Sequence, residues 1–245
     1  MDTFLDPHPG WITIGGRDHL FYIAGLLLLA VPLLTARGWV RRRAVAIRRV
    51  ALAVLVVQQS TLYGFYAATG WDNAESLPLH ISRVSALLAL FYLATGNRRV
   101  MDVLFYFGLW AWASFSYPQH IQPVTHILGW SFFTNHAIVL LMPAFATITT
   151  DWRPSLRGLW RALGWFAVYV VVAVAANALT GGNYFYQREK PLLPWLDQPS
   201  YLLASIAATA ALFALGYAAS RVVLRSGTGR AGAPTASPRS GTPAG

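Results

Sequence analysis

The chain has 245 residues, of which 56% are hydrophobic and 11% charged, with a mean hydropathy of +0.45. Soluble domains carry about 25% charged residues, so an ordinary water-soluble domain is excluded. There are no cysteines, which excludes disulfides, thiolate metal sites and a cysteine nucleophile together. The net charge of +10 comes from 18 Arg and one Lys, gathered in short clusters between long apolar runs. That is the pattern of a polytopic membrane protein, with the lipid bilayer and not nucleic acid as its partner.

A helix that crosses a bilayer needs about 20 mostly apolar residues. Seven such windows follow in chain order, over 19–36, 50–69, 78–95, 100–117, 125–148, 159–180 and 200–222. Polar residues interrupt the second, third, fourth and sixth, so six spans is the alternative. The fold class is therefore an all-α transmembrane bundle, a multi-pass protein of the cell membrane, over residues 19–222.

Lys and Arg are retained on the cytoplasmic side. With the N-terminus outside, 15 basic residues fall inside and only Arg17, Arg188 and Lys190 outside, together with seven of the nine acids. This predicts an outer N-terminal segment over 1–18 and a cytoplasmic C-terminus. Asp2 and Asp6, without a basic stretch, make the start unlike a cleavable signal peptide. Residues 223–245 are rich in Gly, Ser, Thr, Pro and Ala and are expected to form a disordered cytoplasmic tail.

Ionisable and polar residues inside spans are costly, so function is sought there first. They are Gln58, Gln59 and Ser60 in span two, His80, Ser82 and Arg83 in span three, Asp102 in span four, Asn135 and His136 in span five, and Asn177 in span six. Ser76 to His80 reads as a helix start, with Ser76 as N-cap and Pro78 in the first turn. A helix N-terminus favours an anion, and Arg83 lies one turn from His80 on the same face. A membrane phospholipid phosphate is the expected ligand; the alternative is that Arg83 snorkels to the interface. His136 lies about 15 Å deep at 1.5 Å per residue and is a candidate base, or else a structurally bonded histidine. Gln58, Gln59 and Asn177 also read as glue between helices. Asp102 reads as complementing the start of its helix.

Lys190, the only lysine, lies in an outer loop, so a retinal Schiff base is excluded. His126 and His136 fall on different helix faces, and no metal site or cofactor is expected. Four polar residues, His80, Arg83, His136 and Asn177, are expected to share one water-accessible cavity in the outer half of the bundle. Asn183, Tyr184 and Tyr186 are expected to fold back over its mouth, because Gly181 and Gly182 permit a tight turn after span six.

Three blocks, Leu77-Pro78-Leu79-His80, Phe132-Phe133-Thr134-Asn135-His136, and Asn177 to Tyr186 followed by Lys190-Pro191, resemble the YwaF-like bacterial integral membrane proteins. That family is similar to an animal transmembrane acyltransferase that makes polyunsaturated ether phospholipids, and more distantly to androgen-induced membrane hydrolases of fatty-acid esters. The resemblance implies lipid acyl transfer or ester hydrolysis, with His136 as the catalytic histidine. Leu79 stands where the acyltransferase carries its nucleophilic cysteine. Ser82, one turn further on, is the substitute nucleophile, with His136 as its base; the alternative is that its hydroxyl bonds its own helix. His80, Arg83, Asn177, Asn183 and Tyr184 would then bind substrate. The other readings are a lipid-binding or structural membrane protein and a small-anion transporter. Oligomeric state is not legible.

Overall fold

The computed structural model describes residues 4–6 and 10–229; the rest of the expected C-terminal tail, 230–245, lies outside the described residues. Among the described residues the chain is helical throughout, with no strand. The helices are α1 (Arg17–Thr35), α2 (Arg37–Arg42), α3 (Ala44–Thr69), α4 (Ile81–Thr95), α5 (Arg98–Phe107), α6 (Leu109–Ser116), α7 (Ile127–Thr150), α8 (Leu156–Thr180) and α9 (Ser200–Gly229). A single 3-10 turn, Tyr184–Tyr186, lies between α8 and α9.

Five helices, α1, α3, α7, α8 and α9, are long and apolar enough to cross a membrane. The other two expected spans differ from the sequence reading. Span three is the 15-residue α4, about 22 Å at 1.5 Å per residue. It starts at Ile81 with His80 as N-cap, not at Ser76; Ser76 instead accepts the Asp72 N–H at 3.2 Å. Span four is two short helices, α5 and α6, parted at Gly108. A side chain at Gly108 would press on Val139 at 3.0 Å, so the joint lies hard against α7.

Local chemistry fixes several helix ends. Asn97 and Ser155 accept backbone N–H groups as N-caps of α5 and α8. Gly96 and Gly181 take left-handed φ of 70° and 78° as α4 and α8 close, a conformation that costs any other residue a Cβ clash.

α7 is the axis of the bundle, touching α1 through α6. Tyr22, Leu55, Ala86, Ala89, Leu104 and Ala146 are among the fully enclosed residues of the core around it. A second apolar core joins α5, α8 and α9 through Tyr106, Phe107, Phe166 and Phe213. Outward-facing residues are equally apolar: Leu28, Leu179 and Val223 are 75%, 86% and 71% exposed. A soluble protein would bury such a belt; a lipid-facing one does not need to.

The two ends of the bundle differ in charge. At one end Arg41 donates to Ile148 O and meets Asp151, Arg98 meets Thr150 O, and Arg161 meets Asp102. Arg37 and Arg42 of α2, Arg43 just after it, Arg49 near the start of α3 and Arg99 of α5 belong to the same arginine end. At the other, the loop end, Asp18 accepts Val124 N–H at 2.9 Å and Tyr22 donates to Gln122 O at 2.9 Å.

Candidate functional site

The 70–80 loop at the loop end is organised by Glu75. Its Oε1 accepts from Arg83 Nη2 at 2.8 Å and its Oε2 lies 3.1 Å from His80 Nε2. Partial burial works against the Glu75 charge, but the His80 hydrogen bond and the charges of His80 and Arg83 prevail and hold its carboxyl below the ordinary value. Arg83 is itself buried. It also donates to the carbonyls of Glu75 and Leu77 and to the Tyr66 hydroxyl, the last at 2.6 Å. Its guanidinium is thus committed to the protein at both terminal nitrogens. Glu75 and Tyr66 were not singled out in the sequence, although an acid eight residues before a membrane-embedded Arg was the available signal.

Tyr184 closes over this cluster. It is wholly buried, its ring lies 5.0 Å from the His80 ring, and its hydroxyl donates to Asn73 O at 2.6 Å while accepting Leu77 N–H at 3.2 Å. The fold-back expected of this segment holds for Tyr184, and Phe185 is buried beside it, whereas Tyr186 is 44% exposed. Asn177 fixes the return. Its carboxamide accepts Tyr184 N–H and donates to Tyr184 O, both at 2.8 Å. Asn183 holds the next stretch, accepting the N–H groups of Arg188 and Glu189. Arg188 in turn donates to the last carbonyls of α8, Gly181 O at 2.8 Å and Asn177 O at 3.1 Å.

His136 lies elsewhere. It lines a small cavity with Ile81, Ser82 and Ser85 of α4, Trp110, Ala111 and Ser114 of α6, and Asn135 and Val139 of α7. The space open to the centre of a water molecule is about 10 Å³. The His136 ring is 4.0 Å from that of Phe132. Its Nδ1 lies 2.8 Å from Phe132 O; a carbonyl only accepts, so Nδ1 carries the proton and Nε2 offers a lone pair. Among the described residues Nε2 finds no partner, and neither do Asn135 Oδ1 and Trp110 Nε1. Asn135 Nδ2 donates to Ser82 O at 3.2 Å, tying α7 to α4. The hydroxyl that bonds back to its own helix is that of Ser85, to Ile81 O at 2.8 Å, not that of Ser82.

The single expected cavity is therefore three arrangements. Ser82 and His136 share the small cavity; His80, Arg83 and Tyr184 meet around Glu75; Asn177 and Asn183 hold the turn beyond α8. The physical reason is Glu75, which satisfies Arg83 locally and removes its need for a common water-filled space. The sequence also gave no hint of Trp110, because an indole in an apolar span reads as lipid-facing or core.

Asp102 likewise differs from expectation. It lies past the first turn of α5, accepting Trp152 Nε1–H at 2.9 Å and pairing with Arg161, so it locks α5 to α8. Gln58 donates to Ser131 Oγ at 2.6 Å, a bond between α3 and α7 of the kind expected. A larger cavity of about 330 Å³ is almost wholly apolar, bounded by Leu29 and Leu33 of α1, Trp39 of α2, Ile47 of α3, and Ala137 and Leu141 of α7. Among the described residues no group of His, Asp and Glu is placed to hold a metal ion.

The model of the TMEM164 family, a transmembrane protein family, matches residues 14–217, and the chain belongs to that family. No curated protein and no solved structure matches it.

Proposed function

We propose that this member of the TMEM164 family acts on lipid acyl esters, by acyl transfer or ester hydrolysis, in the cell membrane. In this reading the chain crosses the bilayer seven times, α5 and α6 together forming one crossing. The arginine end faces the cytoplasm and the loop end the outside. His136 is the base and Ser82 the side chain nearest to the role of nucleophile.

The observation that carries the reading is the Nε2 of His136, uncommitted among the described residues, at a small cavity inside an apolar bundle. Its tautomer is fixed by Phe132 O, leaving a lone pair ready to take a proton. Ser82 lines the same cavity, which supports pairing it with His136. The Glu75 cluster lies apart from this cavity, in the 70–80 loop. With His80 neutral its net charge is zero, and with His80 protonated it is +1, so attraction of a phospholipid phosphate runs through His80 and not through Arg83.

The test is release or transfer of a labelled acyl chain from a phospholipid by the full-length protein in nanodiscs. His136→Ala should abolish turnover while the protein still folds and inserts in the membrane. Equal acyl release by wild type and the variant would sink the reading.

A non-catalytic lipid-binding protein is the second reading, favoured by the apolar 330 Å³ cavity, whose lining suits a hydrocarbon chain. Small-anion transport has less support, since Asp102 is engaged by Trp152 and Arg161.

A further inference from the structure

We infer that the small cavity binds one water molecule, held by Trp110, Asn135 and His136, and that this water is the nucleophile, making the reaction a hydrolysis. The inference rests on the lipid-ester reading above and specifies its chemistry.

Three residues that line this space each carry a buried polar atom with no protein partner among the described residues: Trp110 Nε1, Asn135 Oδ1 and His136 Nε2. Their chemistry is complementary to a water. The indole N–H only donates, the carboxamide oxygen only accepts, and Nε2 accepts because Nδ1 holds the proton against Phe132 O. One water accepting from Trp110 and donating to Asn135 and His136 satisfies all three. The space, about 10 Å³ for a water's centre, suits about one molecule, and three polar partners is the usual number for a buried water. Left unpaired, each of the three would carry the full desolvation penalty of a buried polar atom.

A water held in this way is hydrogen-bonded to its base before any ester arrives. In the step, the water oxygen forms a bond to the ester carbonyl carbon as His136 Nε2 takes its proton. The tetrahedral intermediate collapses with cleavage of the carbon–oxygen ester bond, and His136 returns the proton to the departing alkoxide. The products are a free fatty acid and a lyso-lipid alcohol, with His136 restored.

The test uses the full-length protein in phosphatidylglycerol nanodiscs, with histidine labelled by nitrogen-15 and a phosphatidylglycerol carrying a labelled acyl chain. The chemical shift of His136 Nε2 reports whether its lone pair accepts a hydrogen bond. The expected results are a hydrogen-bonded Nε2, release of the chain as free acid, and no acylation of added lysophosphatidylglycerol. Trp110→Phe should lower kcat about tenfold with KM unchanged. A free lone pair on Nε2 overturns the water site, while His136-dependent turnover would leave the lipid-ester reading standing. Acylation of the lyso-lipid by wild type overturns the water nucleophile in favour of a side chain that carries the acyl group. A hydrogen-bonded Nε2 with no acyl ester turned over overturns both the nucleophile and the lipid-ester reading.

Discussion

Asn177 grips Tyr184 by both backbone groups, accepting its N–H and donating to its carbonyl at 2.8 Å each. A side chain thus reproduces the paired bonds of a strand neighbour at the end of a helix. Both partners are buried, so neither bond is replaced by water when it is lost. Asn177→Ala is expected to destabilise the protein by about 2–4 kcal/mol, read as a lower melting temperature by intrinsic fluorescence in detergent. An unchanged melting temperature would show that the return after α8 is held by other contacts.

The Glu75 cluster makes stability fall in acid. The folded carboxyl titrates below its ordinary value of 4.5, so the stabilisation is whole above that pH and is lost as pH drops through the lower folded value. Glu75→Gln removes the group that titrates and leaves the buried Arg83 without its counter-charge. The variant should melt lower than wild type at neutral pH, with a flatter decline on acidification. Identical acid limbs for both proteins would remove Glu75 from the account.

Two glycine substitutions of the same chemistry should act in opposite directions. A Cβ on Gly129, in the first turn of α7, would fall within contact distance of the Pro123 carbonyl and the Tyr22 hydroxyl, and 2.9 Å from Gln122 O. Gly129→Ala should cost about 2 kcal/mol. Gly64, in the middle of α3, has nothing within 4 Å of its Cβ position, and Gly64→Ala should stabilise by about 0.5–1 kcal/mol. Paired thermal melts decide the matter; changes of the same sign would contradict the packing described.

Orientation is tested by reporters fused in the loop around Glu189 and after Arg225. The first should behave as external and the second as cytoplasmic. A reversed pattern would move the Glu75 cluster to the cytoplasmic leaflet.

The helical class and the long spans were legible because a hydrocarbon solvent imposes apolar runs of fixed length. The break at Gly108 was not, since the residues on both sides of it, Tyr106-Phe107 and Leu109-Trp110, are as apolar as in an unbroken span. His136 and Ser82 could be named in advance because polar atoms inside a span are rare. Their separation from Arg83 could not, because it depends on Glu75 reaching back from a loop whose path the sequence pattern does not set. Trp110 was silent for a related reason: its N–H matters only once α6 turns it toward α7.

With α4 as a crossing, its 15 residues are about 8 Å short of a hydrocarbon layer of about 30 Å. The annulus of lipid beside α4 is then drawn inward, and headgroups there ride nearer to Arg83 and Ser82 than elsewhere around the protein. Each ångström of mismatch costs a fraction of a kcal/mol, so the protein would be sensitive to membrane thickness. Thin bilayers would relax this dimple and thick ones would tighten it, coupling access to the polar interior to the acyl length of the host membrane.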